Sequence, residues 1–273
     1  MDAKEKLLRD SGFLEGESVV IASVEQPLSK TRHSEGGIKP LKSVECKSES
    51  QEAPNFFQDI VSSYDGALGF EDMRLSRPVL KAVNELGFRV PTPIQSAAIP
   101  IALRGRDVCG CAKTGSGKTV AFLVPLVERL LYAPHSLEAS EGSIRALILS
   151  PTRELAVQLF EVCQSLCRFA PRLRVGLAVG GLDLREQQSQ LRRTPPDILV
   201  ATPGRLVDHI RNSPSFTLAN VVMLILDEAD RMLDDGFLEQ MKDILRQCPP
   251  ARRQTLLFSA TMTDNVSKIV MLT

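Results

Sequence analysis

Ala112-Lys113-Thr114-Gly115-Ser116-Gly117-Lys118-Thr119 follows a short apolar run, 107–111, and precedes an apolar helical pattern over 120–131. That context spells strand, tight loop, helix. A glycine-rich loop there turns several backbone N–H groups into one concavity. The helix N-terminus adds partial positive charge, so the loop suits phosphate oxygens. Lys118 has the reach for terminal phosphates, and the Thr119 hydroxyl is of the type that ligates Mg²⁺. Ala112, Thr114, Gly115, Ser116 and Gly117 complete the candidate loop. The usual pattern opens on Gly, and Ala112 stands in its place. Taken alone, the stretch also reads as an ordinary Gly/Ser turn before a helix.

The surrounding composition narrows the classes. The chain has 273 residues, 43% of them hydrophobic, enough for a sizeable core. Its formal net charge is zero, so any nucleic-acid contact must come from a local surface rather than a basic protein. No run approaches the roughly 18 apolar residues of a membrane span. The start, Met1-Asp2-Ala3-Lys4-Glu5, lacks a signal-peptide apolar region, which argues for an intracellular protein. Tryptophan is absent and aromatics are sparse, against a surface of many stacked bases. Cys109 and Cys111 alternate on the strand before the loop, and Cys163 and Cys167 share a helical face. Neither pair has partners at zinc spacing, so buried small side chains are the better reading.

Three regions follow along the chain. Residues 1–66 are rich in Ser, Glu, Lys and Gly without a sustained period, and read as a mostly disordered extension, with Phe56 and Phe57 as an anchor. Residues 67–104 form a helical region: Leu75, Val79, Leu80, Val83 and Leu86 recur at helical spacing, Gly87 ends that helix, and a second runs over 95–103 after Pro91-Thr92-Pro93. From 105 to 273 strands alternate with helices. The strands are expected at 107–111, 145–150, 174–178, 198–201, 221–226 and 255–259, the helices at 120–131, 153–169, 184–193, 204–212 and 237–247. Several strands are continuously apolar, as parallel strands covered on both faces by helices are. The fold class is therefore α/β with an open doubly wound sheet, whose ligands bind beyond the carboxyl ends of the strands.

One such end is Asp227-Glu228-Ala229-Asp230, after the run 221–226. A nucleotide-bound Mg²⁺ is held by one or two carboxylates plus phosphates, and Asp227 is positioned as that carboxylate. Glu228 is the candidate general base for the attacking water. Acids capping the next helix are the competing reading.

Asp227-Glu228-Ala229-Asp230 also spells the signature of the DEAD-box RNA helicases, and the resemblance runs from about Gly69 to the C-terminus. Gly87-Phe88-Arg89-Val90-Pro91-Thr92-Pro93-Ile94-Gln95 resembles the family's Q motif, with Phe70 as its upstream aromatic seventeen residues before Gly87. Pro151-Thr152-Arg153-Glu154-Leu155-Ala156, Gly180-Gly181, Thr202-Pro203-Gly204-Arg205 and Ser259-Ala260-Thr261 appear in family order. The family commonly writes Ala at the start of its phosphate loop.

The resemblance implies a RecA-like P-loop NTPase domain that uses ATP and Mg²⁺ as an ATP-dependent RNA helicase. Gln95 would read the adenine edge, Phe70 would stack on the base, and Arg89 joins them in the nucleotide site. An amide with one donor and one acceptor face complements adenine, implying ATP over GTP. For Gln95 the competing reading is a helix-start residue satisfying its neighbours; for Phe70 it is plain core. Pro151, Thr152, Arg153, Gly180, Gly181, Thr202, Pro203, Gly204 and Arg205 would hold single-stranded RNA by its backbone, without sequence preference. Ordinary helix capping competes there as well. Asp230, Ser259 and Thr261 would couple nucleotide state to domain arrangement.

The family needs a second RecA-like domain with an arginine finger, and none of its motifs occurs here, so the chain reads as an N-terminal half. Alone it is expected to bind ATP weakly, hydrolyse it very slowly and not separate strands. Val179-Gly180-Gly181-Leu182-Asp183, Asp208-His209-Ile210, Pro214-Ser215-Phe216 and Asp230-Arg231-Met232-Leu233-Asp234 resemble the nucleolar branch active in large-ribosomal-subunit assembly. That resemblance implies pre-ribosomal partners and a nuclear, nucleolar location. A non-catalytic RNA- or protein-binding half-module and a generic P-loop kinase or transport ATPase are the rival classes.

Overall fold

A computed structural model describes residues 20–24, 58–59, 69–132, 143–213, 215–234 and 236–261. In chain order the strands are β1 (Val20–Val24), β2 (Gln58–Asp59), β3 (Asp107–Cys111), β4 (Ala146–Leu149), β5 (Val175–Ala178), β6 (Ile198–Ala201), β7 (Met223–Leu226) and β8 (Gln254–Ser259). The helices are α1 (Arg77–Glu85), α2 (Pro93–Leu103), α3 (Lys118–Tyr132), α4 (Arg153–Leu166), α5 (Leu184–Arg193), α6 (Pro203–Asn212), α7 (Ala229–Asp234) and α8 (Leu238–Gln247).

One sheet of order β2-β1-β3-β8-β7-β4-β6-β5 carries the whole arrangement. From β3 to β5 every pairing is parallel. β4, β6 and β7 are Ala-Leu-Ile-Leu, Ile-Leu-Val-Ala and Met-Leu-Ile-Leu, buried at every residue. That is why they read as continuous apolar runs: both faces are covered. Two hydrophobic clusters result, one per face, with Phe122, Ile148 and Phe258 in one and Leu147, Leu199 and Leu224 in the other. Phe70, Val79, Val83, Ile94 and Ile99 join the first, so the region over 69–104 shares the core of the sheet.

The expected strands and helices are present, with ends shifted by up to three residues. The helix expected at 153–169 ends at Leu166 and tightens into a 3₁₀ turn, Cys167–Phe169. Cys109, Cys163 and Cys167 are buried as small apolar side chains. Three short helical elements were not foreseen, the 3₁₀ turns Phe70–Met73 and Pro250–Arg252 and the helix α7, because each is too short to show a period.

The stretch expected as a mostly disordered extension contributes two short strands to the sheet. Within residues 1–66, β1 pairs antiparallel with β3, setting Val20 opposite Cys111 and Val24 opposite Asp107, and β2 pairs with β1. Five residues of Val-Ile-Ala-Ser-Val satisfy an edge of β3 that would otherwise expose its N–H and C=O groups. Composition hid this because pairing, not local pattern, makes the strand. Phe56 and Phe57 lie outside the described residues.

At the amino ends of β4 and β6 a buried ion pair ties the sheet together. Arg145 Nη2 lies 2.9 Å from Asp197 Oδ1, both side chains about 5–6% exposed, and Asp197 Oδ2 accepts from Arg174 N at 3.0 Å. The carboxyl ends carry the candidate site.

Candidate functional site

The loop after β3 bends through Gly115 and Gly117, at φ +82° and +93°. A Cβ on Gly117 would lie 2.5 Å from Gln95 Nε2 and 2.9 Å from Thr92 Oγ1, so only glycine fits. Gln95 stands in the first turn of α2. Its Oε1 accepts from Thr92 N, and its Nε2 donates to Gly117 O, both at 3.0 Å. The Q-type stretch therefore braces the phosphate loop directly, and Gln95 is both the helix-start residue of the competing reading and a part of the site. Lys118 opens α3, is 8% exposed, and donates to Ala112 O at 2.5 Å and Ser259 O at 3.3 Å. Lys113, Thr114 and Gly115 are exposed at the rim.

β7 delivers the acids beside this loop. Asp227 N donates to Leu149 O at 3.0 Å, and the side chain is 7% exposed. Burial pushes its carboxyl up to about 7; the negative charge of Glu228 adds to this and Lys118 opposes it. Glu228 has φ +53°, a left-handed conformation that costs an L-residue roughly 1–2 kcal/mol. This is the sharp turn from β7 into α7, and Glu228 Oε2 lies 3.4 Å from Arg231 Nη1. Asp230 accepts from Thr261 Oγ1 at 2.8 Å and Thr261 N at 3.1 Å. Burial raises the Asp230 carboxyl, but hydrogen bonds from Thr261, Ser259 and the Arg231 amide outweigh it and hold the group below its ordinary range. The turn 259–261 thus touches the loop lysine through Ser259 O and the acidic motif through Thr261.

Three observations fit a magnesium nucleotide to this pocket. The loop bends through Gly115 and Gly117 into the N-terminus of α3, the arrangement that receives phosphate oxygens. Ser116 Oγ is buried without a hydrogen-bond partner among the described residues. Asp227 is a hard oxygen donor whose burial disfavours the bare charge, a cost that a bound cation offsets.

The second half of the carboxyl edge lies over β4, β6 and β5. Thr152 caps α4, its Oγ1 accepting from Leu155 N at 3.3 Å. The Arg153 guanidinium lies against Gly181, where a Cβ would collide with it. Arg205, in the first turn of α6, donates to Leu182 O at 2.9 Å and Gln187 Oε1 at 3.0 Å. Pro203 is the first residue of α6 and is buried; Thr202 and Gly204 are half-buried. Pro151, Thr152, Arg153, Gly180, Gly181 and Thr202 to Arg205 are thereby gathered at the carboxyl ends of β4, β5 and β6, with β7 and β8 between them and the strand that bears the glycine loop.

A model of the DEAD/DEAH box helicases matches residues 92–269. The chain belongs to that family. Among its relatives is a human protein named "Probable ATP-dependent RNA helicase DDX27", 54% identical over 223 residues, which are 82% of this chain and 28% of the relative. Two others are named "ATP-dependent RNA helicase DRS1". The one from Lodderomyces elongisporus is 55% identical over 71% of this chain and 28% of its own length; the one from Candida albicans is 49% identical over 86% and 37%. The chain therefore spans between about a quarter and two fifths of these curated relatives.

In this DEAD/DEAH box domain two expected nucleotide contacts stand apart from the rest. Phe70 is 4% exposed and packs in the core. Arg89 is exposed on the turn before α2. Conversely, the motif reading gave no role to Gln187 or His209, both buried and hydrogen-bonded to each other beside the loops after β5 and β6. A signal existed. Leu184–Arg193 is almost wholly polar, and Gln187 is the residue it buries; a polar helix seated on a sheet must be held by a polar contact.

Proposed function

We propose that this chain is the ATP-binding domain of an ATP-dependent RNA helicase, coupling Mg-ATP binding and hydrolysis to sequence-tolerant RNA binding and duplex remodelling. The observation that carries the reading is the convergence of Lys118, Asp227, Glu228 and Thr261 on the ends of three adjacent strands, β3, β7 and β8. Lys118 would exchange its carbonyl contacts for phosphate oxygens, to which the loop amides also donate. Thr119 and Asp227 would hold the metal, which when bound supplies positive charge against the phosphates. Glu228 would take the proton of the attacking water. Gln95 keeps one amide proton and one lone pair beyond its two protein contacts, so bracing the loop and reading adenine are compatible. On the other side, helix starts and backbone N–H groups would meet RNA phosphates.

A second RecA-like domain would supply the arginine that completes turnover; that the aligned stretch is 28% of two relatives' length supports this setting. Work on pre-ribosomal RNA in the nucleolus is the biological context we propose, on the branch-specific resemblance at 179–183, 208–210 and 230–234.

The test is binding of a fluorescent ATP analogue with and without Mg²⁺, binding of labelled single-stranded RNA, and hydrolysis. Glu228→Gln should keep both ligands and lower turnover by roughly 10²–10⁴-fold. Turnover at the parent rate removes Glu228 as the base. Equal affinity for guanine nucleotides would overturn the adenine reading, and robust unwinding by residues 1–273 would overturn the need for a second domain.

A further inference from the structure

The two glycines of the RNA-side loop, Gly180 and Gly181, have the conformational freedom that a precise backbone contact cannot tolerate, and Gly181 sits at φ +80°. The structure pins the loop at both flanks. Val179 O accepts from Gln187 Nε2 at 3.0 Å, and Leu182 O accepts from Arg205 Nη2 at 2.9 Å. The two pins are joined, because Gln187 Oε1 accepts from Arg205 Nη1 at 3.0 Å and faces His209 Nε2 at 3.1 Å. On the open side the Arg153 guanidinium closes against Gly181. Gln187, 5% exposed on α5, thus touches both the flank of the Gly180-Gly181 loop at Val179 and Arg205 of the Thr202–Arg205 helix start.

We propose that Gln187 is a positioning residue that fixes the backbone-reading loops relative to one another and thereby sets the RNA affinity of this face. The proposal rests on the RNA-binding reading above. Its chemistry asks for an amide. The NH₂ must face a carbonyl, so the oxygen must face the arginine and the histidine, and His209 then donates from Nε2. Burial, with the nearby Arg205 charge, holds the His209 imidazole below its ordinary range, consistent with a neutral ring. A carboxylate at 187 would keep the two donors but face Val179 O with no proton to give. A thioether would lose all three bonds. With the pins gone, the glycine loop must be ordered at the moment of binding, and that ordering is taken out of the affinity.

The test uses Gln187→Met and Gln187→Glu in the whole chain. It reads the affinity for labelled single-stranded RNA, the affinity for a fluorescent ATP analogue, and amide hydrogen exchange. Gln187→Met should weaken RNA binding about tenfold while leaving the analogue within about twofold, since the phosphate loop does not touch this network. Exchange should quicken at 179–182 and 202–205. Gln187→Glu should cost RNA affinity less, about threefold, and quicken exchange at 179–182 alone, because the acceptor for Arg205 and His209 survives. Unchanged RNA affinity in Gln187→Met, or an equal loss of RNA and analogue, overturns the positioning role. If Gln187→Met does not fold, Gln187→Glu decides: parent RNA affinity with parent exchange overturns it. A parent chain that binds the analogue but no RNA overturns the RNA reading itself, whereas a parent that binds RNA as its Gln187→Met variant does overturns this inference alone.

Discussion

Over β3, β8 and β7 the polar groups are held in arrangements that a ligand would improve. Asp227 is buried with its carboxyl raised to about 7, Lys118 lies on two carbonyl oxygens, and Glu228 sits in a left-handed conformation. Over β4, β6 and β5 the polar groups pair with one another: Arg205 with Gln187 and Leu182 O, Gln187 with Val179 O and His209, Thr152 with Leu155 N. The nucleotide side stores unmet electrostatic demand, as a site for a multivalent anion and its metal does. The proposed RNA side is largely pre-paired, Ser150 Oγ and His209 Nδ1 being buried without a hydrogen-bond partner among the described residues, and suits a backbone read by geometry rather than by charge. The same sheet supports both because each motif leaves a different strand at the same edge.

The sharpest way to break this comparison is Lys118→Ala. It removes the cation of the nucleotide side and should lower affinity for a fluorescent ATP analogue about a hundredfold or more, with RNA affinity unmoved. An equal loss on both sides would mean that the halves are not separable. Gly117→Ala comes next. Its Cβ would meet Gln95 and Thr92 at a φ of +93°, so the loop must shift, at a cost of roughly 2–4 kcal/mol in chemical denaturation together with nucleotide affinity.

Asp227→Asn reverses the sign. The folded protein binds the Asp227 proton up to about pH 7, whereas the unfolded chain releases it near 3.8, so the parent loses stability as pH rises between those values. Without nucleotide, the Asn variant should melt higher than the parent at pH 8, by on the order of a few kcal/mol at most, and the gap should narrow as pH falls from 7 towards 4. Mg-nucleotide should restore the parent more than the variant. A constant gap across pH would show that Asp227 is not the strained acid. The smallest effect belongs to the pre-paired side. Arg205→Lys loses the planar fork that joins Leu182 O to Gln187 and should weaken RNA about threefold, with ATP binding unchanged.

Most of the fold was legible because buried parallel strands have to be continuously apolar, and β4, β6 and β7 announce themselves that way. The nucleotide side was legible too: phosphate loops and metal-bearing acids need fixed residue types at fixed spacing. The burial of Phe70 was not, since an aromatic side chain suits a base or a core equally. Nor was the joint role of Gln95, whose partner Gly117 lies 22 residues away.

By itself the sequence determined the order of strands and helices, the family, and which residues carry charge to the carboxyl edge. All of these follow from local periodicity and short motifs. Tertiary structure alone decided that a strand from the extension covers β3, that Lys118 and Asp230 meet on the turn 259–261, and that Gln187 ties the RNA-side loops together. The physical reason is common to the three. Each depends on a hydrogen bond between groups distant in sequence, and such a partner exists only once the sheet has brought the strand ends together.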